Sequence, residues 1–321
     1  MSYNKPPYQI TTEILALLTK VSEQIGAVNA LHLNRPQTEL RKANRIKTIQ
    51  STLAIEGNTL SDEQITALLN NKRILAPQKD ILEVQNAIAT YDKLHTFKPF
   101  QLKSLLNAHK TLMEGLIRDA GALRAGNVGI VKGSQITHVA PSGNMVPQLL
   151  KELLEYIKDD KDPILIKTCV FHYEFEFIHP FADGNGRMGR LWQTVLLMGT
   201  YPVLEYLPIE SLIKAEQAKY YAALSKSDSL GHSTPFILFM LGCISKALDE
   251  LLEKPLVAPD PQSRILLFKE VKGKGNFTRK DYLQHFKGLS TATASRDLKL
   301  ATASGILKKI GDKNSTTYIY S

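Results

Sequence analysis

An apolar repeat with the period of an α-helix runs through the first 250 residues of this chain and stops at a cluster of prolines. Residues 12–33 set Ile14, Leu17, Leu18, Val21 and Ile25 on one face. Residues 38–56 predict a second helix, ended by Gly57-Asn58, where glycine supplies the left-handed stop. Ser61-Asp62-Glu63-Gln64 opens a third, and residues 77–94 and 99–116 continue the pattern. Over 128–139 the period changes to β-branched and polar residues by turns, broken by Gly129 and Gly133, which predicts a short hairpin. After the turn Pro141-Ser142-Gly143-Asn144, helices are expected at 146–158, 163–177, 187–198, 209–225 and 235–252. The fold class expected is mainly α with one small hairpin.

Residues 253–261 carry three prolines in nine positions, a linker composition. Beyond it come helices at 262–271, from Thr278, and over 290–303 with Ser290 as N-cap. Strands at 305–310 and 316–320 flank the turn Gly311-Asp312-Lys313-Asn314. Three helices followed by a hairpin match a winged helix-turn-helix. The domain organisation expected is therefore a helical region at 1–110, a core at 111–252, a linker at 253–261 and a winged helix at 262–321.

Composition narrows the function classes. With 43% hydrophobic and 22% charged residues among 321, the chain is ordinary globular protein. The start is polar and proline-rich, without a secretory pattern, and the most apolar stretch, 235–244, is too short to cross a bilayer. A cytoplasmic protein without membrane contact is expected. Cys169 and Cys243 stand alone, so neither a disulfide framework nor a zinc site is indicated. The net charge of +9 is uneven: residues 260–321 hold 12 Lys/Arg against 5 Asp/Glu. Such a basic tail fits nucleic acid or a solvated surface, and both readings stay open.

The chemistry concentrates in His179-Pro180-Phe181-Ala182-Asp183-Gly184-Asn185-Gly186-Arg187-Met188-Gly189-Arg190. Gly184 and Gly186 allow positive φ and close approach of the backbone to a ligand. Successive N–H groups in such a turn form an anion-binding concavity, and the helix that follows adds partial positive charge. Arg187 and Arg190, three apart, share a helical face and suit a polyphosphate. Asp183 beside phosphate oxygens points to shared Mg²⁺. His179, just upstream, is placed to take a proton from an incoming hydroxyl. Base, metal ligand, phosphate cradle and two cations make a kit for attack on a phosphate ester.

This string resembles the Fic family motif, HPFx(D/E)GNGRxxR, at every fixed position, and the likeness extends over residues 40–250. The resemblance implies a protein adenylyltransferase that moves AMP from ATP onto a Ser, Thr or Tyr hydroxyl and releases pyrophosphate. His179 would be the base and Asp183 the Mg²⁺ ligand. Gly184, Asn185 and Gly186 would cradle phosphates, Arg187 and Arg190 would bind the β- and γ-phosphates, and Met188 and Gly189 complete the nucleotide-binding string. The stretch Gln135-Ile136-Thr137-His138 lies where the family places a flap that aligns the target. Tyr220-Tyr221 stand where relatives border adenine and ribose. Asp228 departs from an Asn that some relatives carry near the base.

Thr52, Glu56 and Gly57 resemble the family's inhibitory motif, (S/T)xxxE(G/N), on a helix at about 39–57. Thr52 and Glu56 are four apart and face the same way. The resemblance implies that Glu56 pairs with Arg190 and misplaces the triphosphate. In some relatives the same glutamate supports removal of AMP. The partners implied are ATP, a hydroxyl-bearing protein at the flap, DNA through 262–321 and a second copy of the chain. The alternatives are a nucleotide-sensing DNA-binding regulator and transfer of another phosphate-linked group, UMP or phosphocholine.

Overall fold

The periodic apolar faces fold as helices, and the one helix without a polar face lies at the centre. The computed structural model describes residues 4–30, 38–132, 135–253, 260–273, 275–286, 288–312 and 316–321; the side chains of 38, 39, 129–139 and 270 lie outside that description. Most of the linker expected at 253–261 therefore falls outside the described residues, as do Gly133, Lys313 and Asn314. The chain divides into two compact units, residues 1–36 with 41–254 and residues 255–321 with 37–40.

In the first unit the helices are α1 (Thr12–Ala30), α2 (Thr38–Ile55), α3 (Asp62–Leu69), α4 (Gln78–Asp92), α5 (Leu102–Met113), α6 (Val146–Asp159), α7 (Ile164–Ile178), α8 (Asn185–Met198), α9 (Ile209–Ala215), α10 (Gln217–Leu230) and α11 (Thr234–Leu252). Helix α7 buries residues on every side, and α6, α8 and α11 pack around it, with α1 against α11. Gly189 permits the approach of α8 to α7. A Cβ there would lie 2.9 Å from Glu176 Oε1 and 3.0 Å from the His172 ring. Strands β1 (Gly129–Lys132) and β2 (Gln135–Val139) pair antiparallel between α5 and α6, Gly129 opposite Val139 and Lys132 opposite Gln135. No helix among the described residues is long and apolar enough to cross a membrane.

Several boundaries differ from the sequence reading, three of them for a plain physical reason. Helix α8 starts at Asn185, two residues early, because Gly184 caps it from the left-handed region at φ 84°. The helix expected at 209–225 is two helices, since Glu216 leaves helical torsions at φ −113°, ψ 32°. The strand expected from 305 begins at Leu307, because Gly305 turns at φ 76° and Ile306 N–H closes the preceding helix on Ala301 O.

The second unit holds α12 (Pro261–Lys272), α13 (Arg279–His285), α14 (Thr291–Ala303), β3 (Leu307–Ile310) and β4 (Thr317–Tyr320), the strands antiparallel. This is the order of three helices and a hairpin expected for a winged helix. Phe268, Phe277, Tyr282, Leu298 and Tyr320 are among its core side chains. Within that core Arg264 donates from Nε and Nη2 to the two carboxylate oxygens of Asp297, both at 2.7 Å, and Tyr282 OH donates to Oδ2 at 3.1 Å. Asp297 is fully buried. Removing one partner of a buried pair strands the other, at a cost on the order of 3–5 kcal/mol. Asp297→Ala is expected to lower the melting transition of this unit by roughly ten degrees or more in calorimetry; an unchanged transition would show that the pair is dispensable.

Candidate active site

Helix α7 ends at His179, which takes the left-handed conformation at φ 50°, ψ 60° although it has a Cβ. Such a conformation persists only where neighbours over-determine it. Arg124 does this. Its Nε donates to His179 O at 2.6 Å and its Nη2 to Ile178 O at 3.0 Å, while its backbone N–H donates to Pro180 O at 2.9 Å. The guanidinium thus meets carbonyls that a helix C-terminus leaves without partners. Its remaining donors reach Gly126 O and Pro141 O, both at 2.6 Å, and so tie the base of the β1–β2 hairpin to the same loop. Arg124 is thus the clamp of this turn. His179 Nδ1 lies 3.3 Å from Glu176 O. A carbonyl only accepts, so in the neutral ring the proton is on Nδ1 and the lone pair on Nε2.

The loop that follows is held from beneath. Asn185 accepts from Phe181 N–H and donates to Phe181 O, both at 2.9 Å, so its side chain closes the loop on itself. Any role for Asn185 toward a ligand falls to its backbone. His109, on α5, accepts from Gly121 N–H at 2.9 Å and donates from Nε2 to Asp183 O at 3.0 Å. Its ring stacks on Phe181 at 3.6 Å. The first-turn N–H groups of Asn185, Gly186 and Arg187 have no carbonyl one turn back, an arrangement chemically suited to an anion. Gly184 N–H is already committed, to Asp183 Oδ1 at 2.6 Å. The Asp183 side chain is 56% exposed and stands at the mouth of the loop.

The two arginines diverge to different partners. Arg190, 3% exposed, donates from Nε to Thr52 Oγ1 at 2.9 Å, and from Nη2 to Thr52 O at 3.0 Å and Glu56 Oε1 at 2.7 Å. Burial works against its charge, but Glu56, Tyr220 and Glu176 together outweigh it and raise its pKa. Glu56 Oε1 also lies over Gly186, where a Cβ would come within 2.5 Å of it. Arg187, 4% exposed, has Glu83 Oε1 and Asp183 Oδ1 each at 3.3 Å. Its Nε is buried with no hydrogen-bond partner among the described residues. A buried donor left unmade costs about 1–3 kcal/mol, so this guanidinium is held but not saturated. Burial raises the pKa of Glu210, on α9, to about 7, with Arg190, Thr48 and Tyr91 working the other way.

Other expected site residues separate. Met188 is fully buried and, with Gly189, belongs to the packing of α8. Tyr220 is 2% exposed, its hydroxyl 3.1 Å from His172 Nε2, whereas Tyr221 is 38% exposed. His172 Nδ1 faces Gln193 Oε1 at 2.8 Å. Asp228 accepts from Tyr173 OH at 2.9 Å. The side chains of Gln135, Ile136, Thr137 and His138 lie outside the described residues; the backbone of 135–139 forms β2. Sequence reasoning missed Glu83. Glu83 carried a signal, a charge in register with the buried Ala87 and Thr90 of α4.

Burial lowers the pKa of His109 to about 4 and that of His172 to about 3. Both rings are neutral in the fold, and unfolding lets them protonate below their ordinary value near 6.5. Their contribution to stability is thus complete above about pH 6.5 and is lost as pH falls toward 4. The melting temperature of the wild-type chain is expected to fall over that window more steeply than that of His109→Gln. The two are expected to diverge by on the order of 2 kcal/mol at about pH 4.5; parallel curves would show that the folded site tolerates the charge.

Comparison with known proteins agrees with this geometry. Residues 99–197 match the Fic/DOC family. A Fic family protein from Desulfovibrio desulfuricans G20, of known crystal structure, is 38% identical and superposes with a TM-score of 0.76 over 99% of this chain and 98% of its own. The protein adenylyltransferase fic-1 of Caenorhabditis elegans is 31% identical over 209 residues, 60% of this chain and 38% of that protein. The protein adenylyltransferase Fic of Nematostella vectensis is 25% identical over 268 residues, 78% of this chain and 58% of that protein. The chain thus spans 38% and 58% of the length of these two relatives. With its glycine loop, its paired arginines and a full-length likeness to a solved relative, the chain belongs to the Fic family.

Proposed function

We propose that this protein transfers AMP from ATP to a Ser, Thr or Tyr hydroxyl of another protein, and that Glu56 holds the reaction off. The observation that carries the reading is the seat of the Glu56 carboxylate on Gly186 and Arg190. The loop and the buried arginine already hold an anion, in the place a phosphate of ATP would need. While it sits there, Arg190 is engaged and the triphosphate cannot lie along the loop.

With Glu56 displaced, Arg190, Arg187 and the first-turn N–H groups of α8 bind the β- and γ-phosphates and orient the α-phosphorus toward His179. The target hydroxyl oxygen bonds to that phosphorus, its proton passes to His179 Nε2, and the bond to the β-phosphate oxygen breaks, releasing pyrophosphate. Among the described residues no three of His, Cys, Asp and Glu converge on a metal site. The single exposed carboxylate of Asp183 suits Mg²⁺ that is shared with the nucleotide's phosphates rather than held in a protein cage. When bound, Mg²⁺ supplies charge neutralisation to those phosphates. The β1–β2 pair, two strands only among the described residues, offers an edge to an extended target segment.

Glu56→Gly incubated with ATP and Mg²⁺ is expected to gain the mass of AMP at least ten times faster than wild type. Adding His179→Ala is expected to lower that rate by roughly 10²–10⁴. Mass gain undiminished by His179→Ala would sink the mechanism. Gain with UTP or CDP-choline in place of ATP would instead identify transfer of UMP or phosphocholine.

A second reading concerns residues 255–321, and we propose that this unit binds duplex DNA. The single acidic residue of α14, Asp297, is buried on Arg264, so the outward face of the helix carries Thr291, Arg296 and Lys299 with no acidic side chain. Lys308 on β3 is exposed as well. A helix with small hydroxyls and cations suits base edges and phosphates in the major groove. The full chain is expected to bind a random-sequence duplex at low salt in fluorescence anisotropy, and Arg296→Glu with Lys299→Glu to weaken binding tenfold or more. Equal affinity of the two chains would remove this reading.

A further inference from the structure

We propose that Glu83 is a positioning residue that sets Arg187 for the terminal phosphates of the nucleotide; this rests on the nucleotide site proposed above. Glu83 stands on the buried face of α4, beside Val84 and in register with Ala87 and Thr90. Its side chain is 8% exposed and that of Arg187 4%, against 34% for Glu56. The two arginines of the loop thus have unlike counter-charges. Glu56 is reachable by solvent and displaceable, whereas Glu83 is enclosed.

Glu83 is itself fixed. Its Oε2 accepts from Asn58 Nδ2 at 2.8 Å, the same amide donates to Asp80 O at 3.1 Å, and Asn58 Oδ1 accepts from Leu60 N–H at 3.1 Å. Asn58 follows the end of the inhibitory helix by three residues, so the segment that carries Glu56 and the carboxylate behind Arg187 share one hydrogen-bonded frame. A purely structural ion pair would use the guanidinium fully. Here both charged contacts of Arg187 are 3.3 Å long and its Nε has no partner among the described residues. Charge-assisted bonds are ordinarily shorter. The geometry is that of a cation held on one edge with donors in reserve. Asp183, its other partner, is exposed and serves the nucleotide's phosphates in the proposed reaction. In that state Glu83 is the counter-charge that keeps Arg187 in place.

The test uses the full chain in the Glu56→Gly background, with Glu83→Gln, Arg187→Gln and the double substitution. ATP and AMP affinities are measured by isothermal titration with Mg²⁺, and AMP transfer is followed alongside. Glu83→Gln is expected to raise the Kd and KM for ATP about tenfold and to leave the Kd for AMP, which lacks the terminal phosphates, within about twofold. The double variant is expected to bind ATP as Arg187→Gln does, because Glu83 acts through that arginine. Unchanged ATP affinity, equal loss for ATP and AMP, or a double variant weaker than Arg187→Gln would each overturn the proposal. Should Glu83→Gln fail to fold, the double against Arg187→Gln decides it. If the Glu56→Gly parent binds ATP but transfers nothing, the adenylyl-transfer reading fails and the affinity pattern still decides the role of Glu83.

Discussion

Two guanidinium groups buried at the start of one helix dictate much of what surrounds them. A cation in the interior without a partner costs several kcal/mol, so α8 can keep Arg187 and Arg190 there only if other elements deliver negative charge to them. Helix α2 brings Thr52 and Glu56 to Arg190, and α4 brings Glu83 to Arg187. The placement of α2 is reinforced by polar contacts along its length, from Asn44 Nδ2 to Tyr206 O at 2.8 Å and from Gln217 Nε2 to Ile55 O at 3.1 Å. The N-terminal helices are therefore part of the electrostatics of the site and not a mere extension of the core.

The turn between α7 and α8 would be floppy by itself, since Gly184 gives the unfolded chain extra freedom and His179 holds an unfavourable left-handed conformation in the fold. Its order comes from three side chains that bond to its backbone. Arg124 holds the carbonyls of Ile178 and His179, Asn185 clasps both polar groups of Phe181, and His109 holds the carbonyl of Asp183. Two of the three come from outside the loop. Each satisfies backbone groups that a sharp turn leaves without helical partners, and together they fix the turn from which the first-turn N–H groups of α8 project.

This division explains what could be read from the sequence. The helices were legible because burial on one face imposes a period, and the catalytic string was legible because its parts are neighbours along the chain. The pairing of Glu56 with Arg190 was also anticipated, through the resemblance to the family's inhibitory motif. The clamps were not, because a side chain that bonds to distant carbonyls leaves no local pattern. The one trace is a polar residue inside an apolar stripe, His109 between Leu105 and Leu112, and Glu83 beside Val84 left a similar one. The break at Glu216 left no trace at all, as neither Pro nor Gly stands there.

Gly186 has a consequence for the reaction proposed. The space above its α-carbon, which any larger residue would fill, is where the carboxylate of Glu56 now rests and where a phosphate must come in the reaction proposed. Both tenants need the same bare atom. In the reaction proposed, a side chain at this position would crowd both, so the balance between them would be set by the segment that carries Glu56.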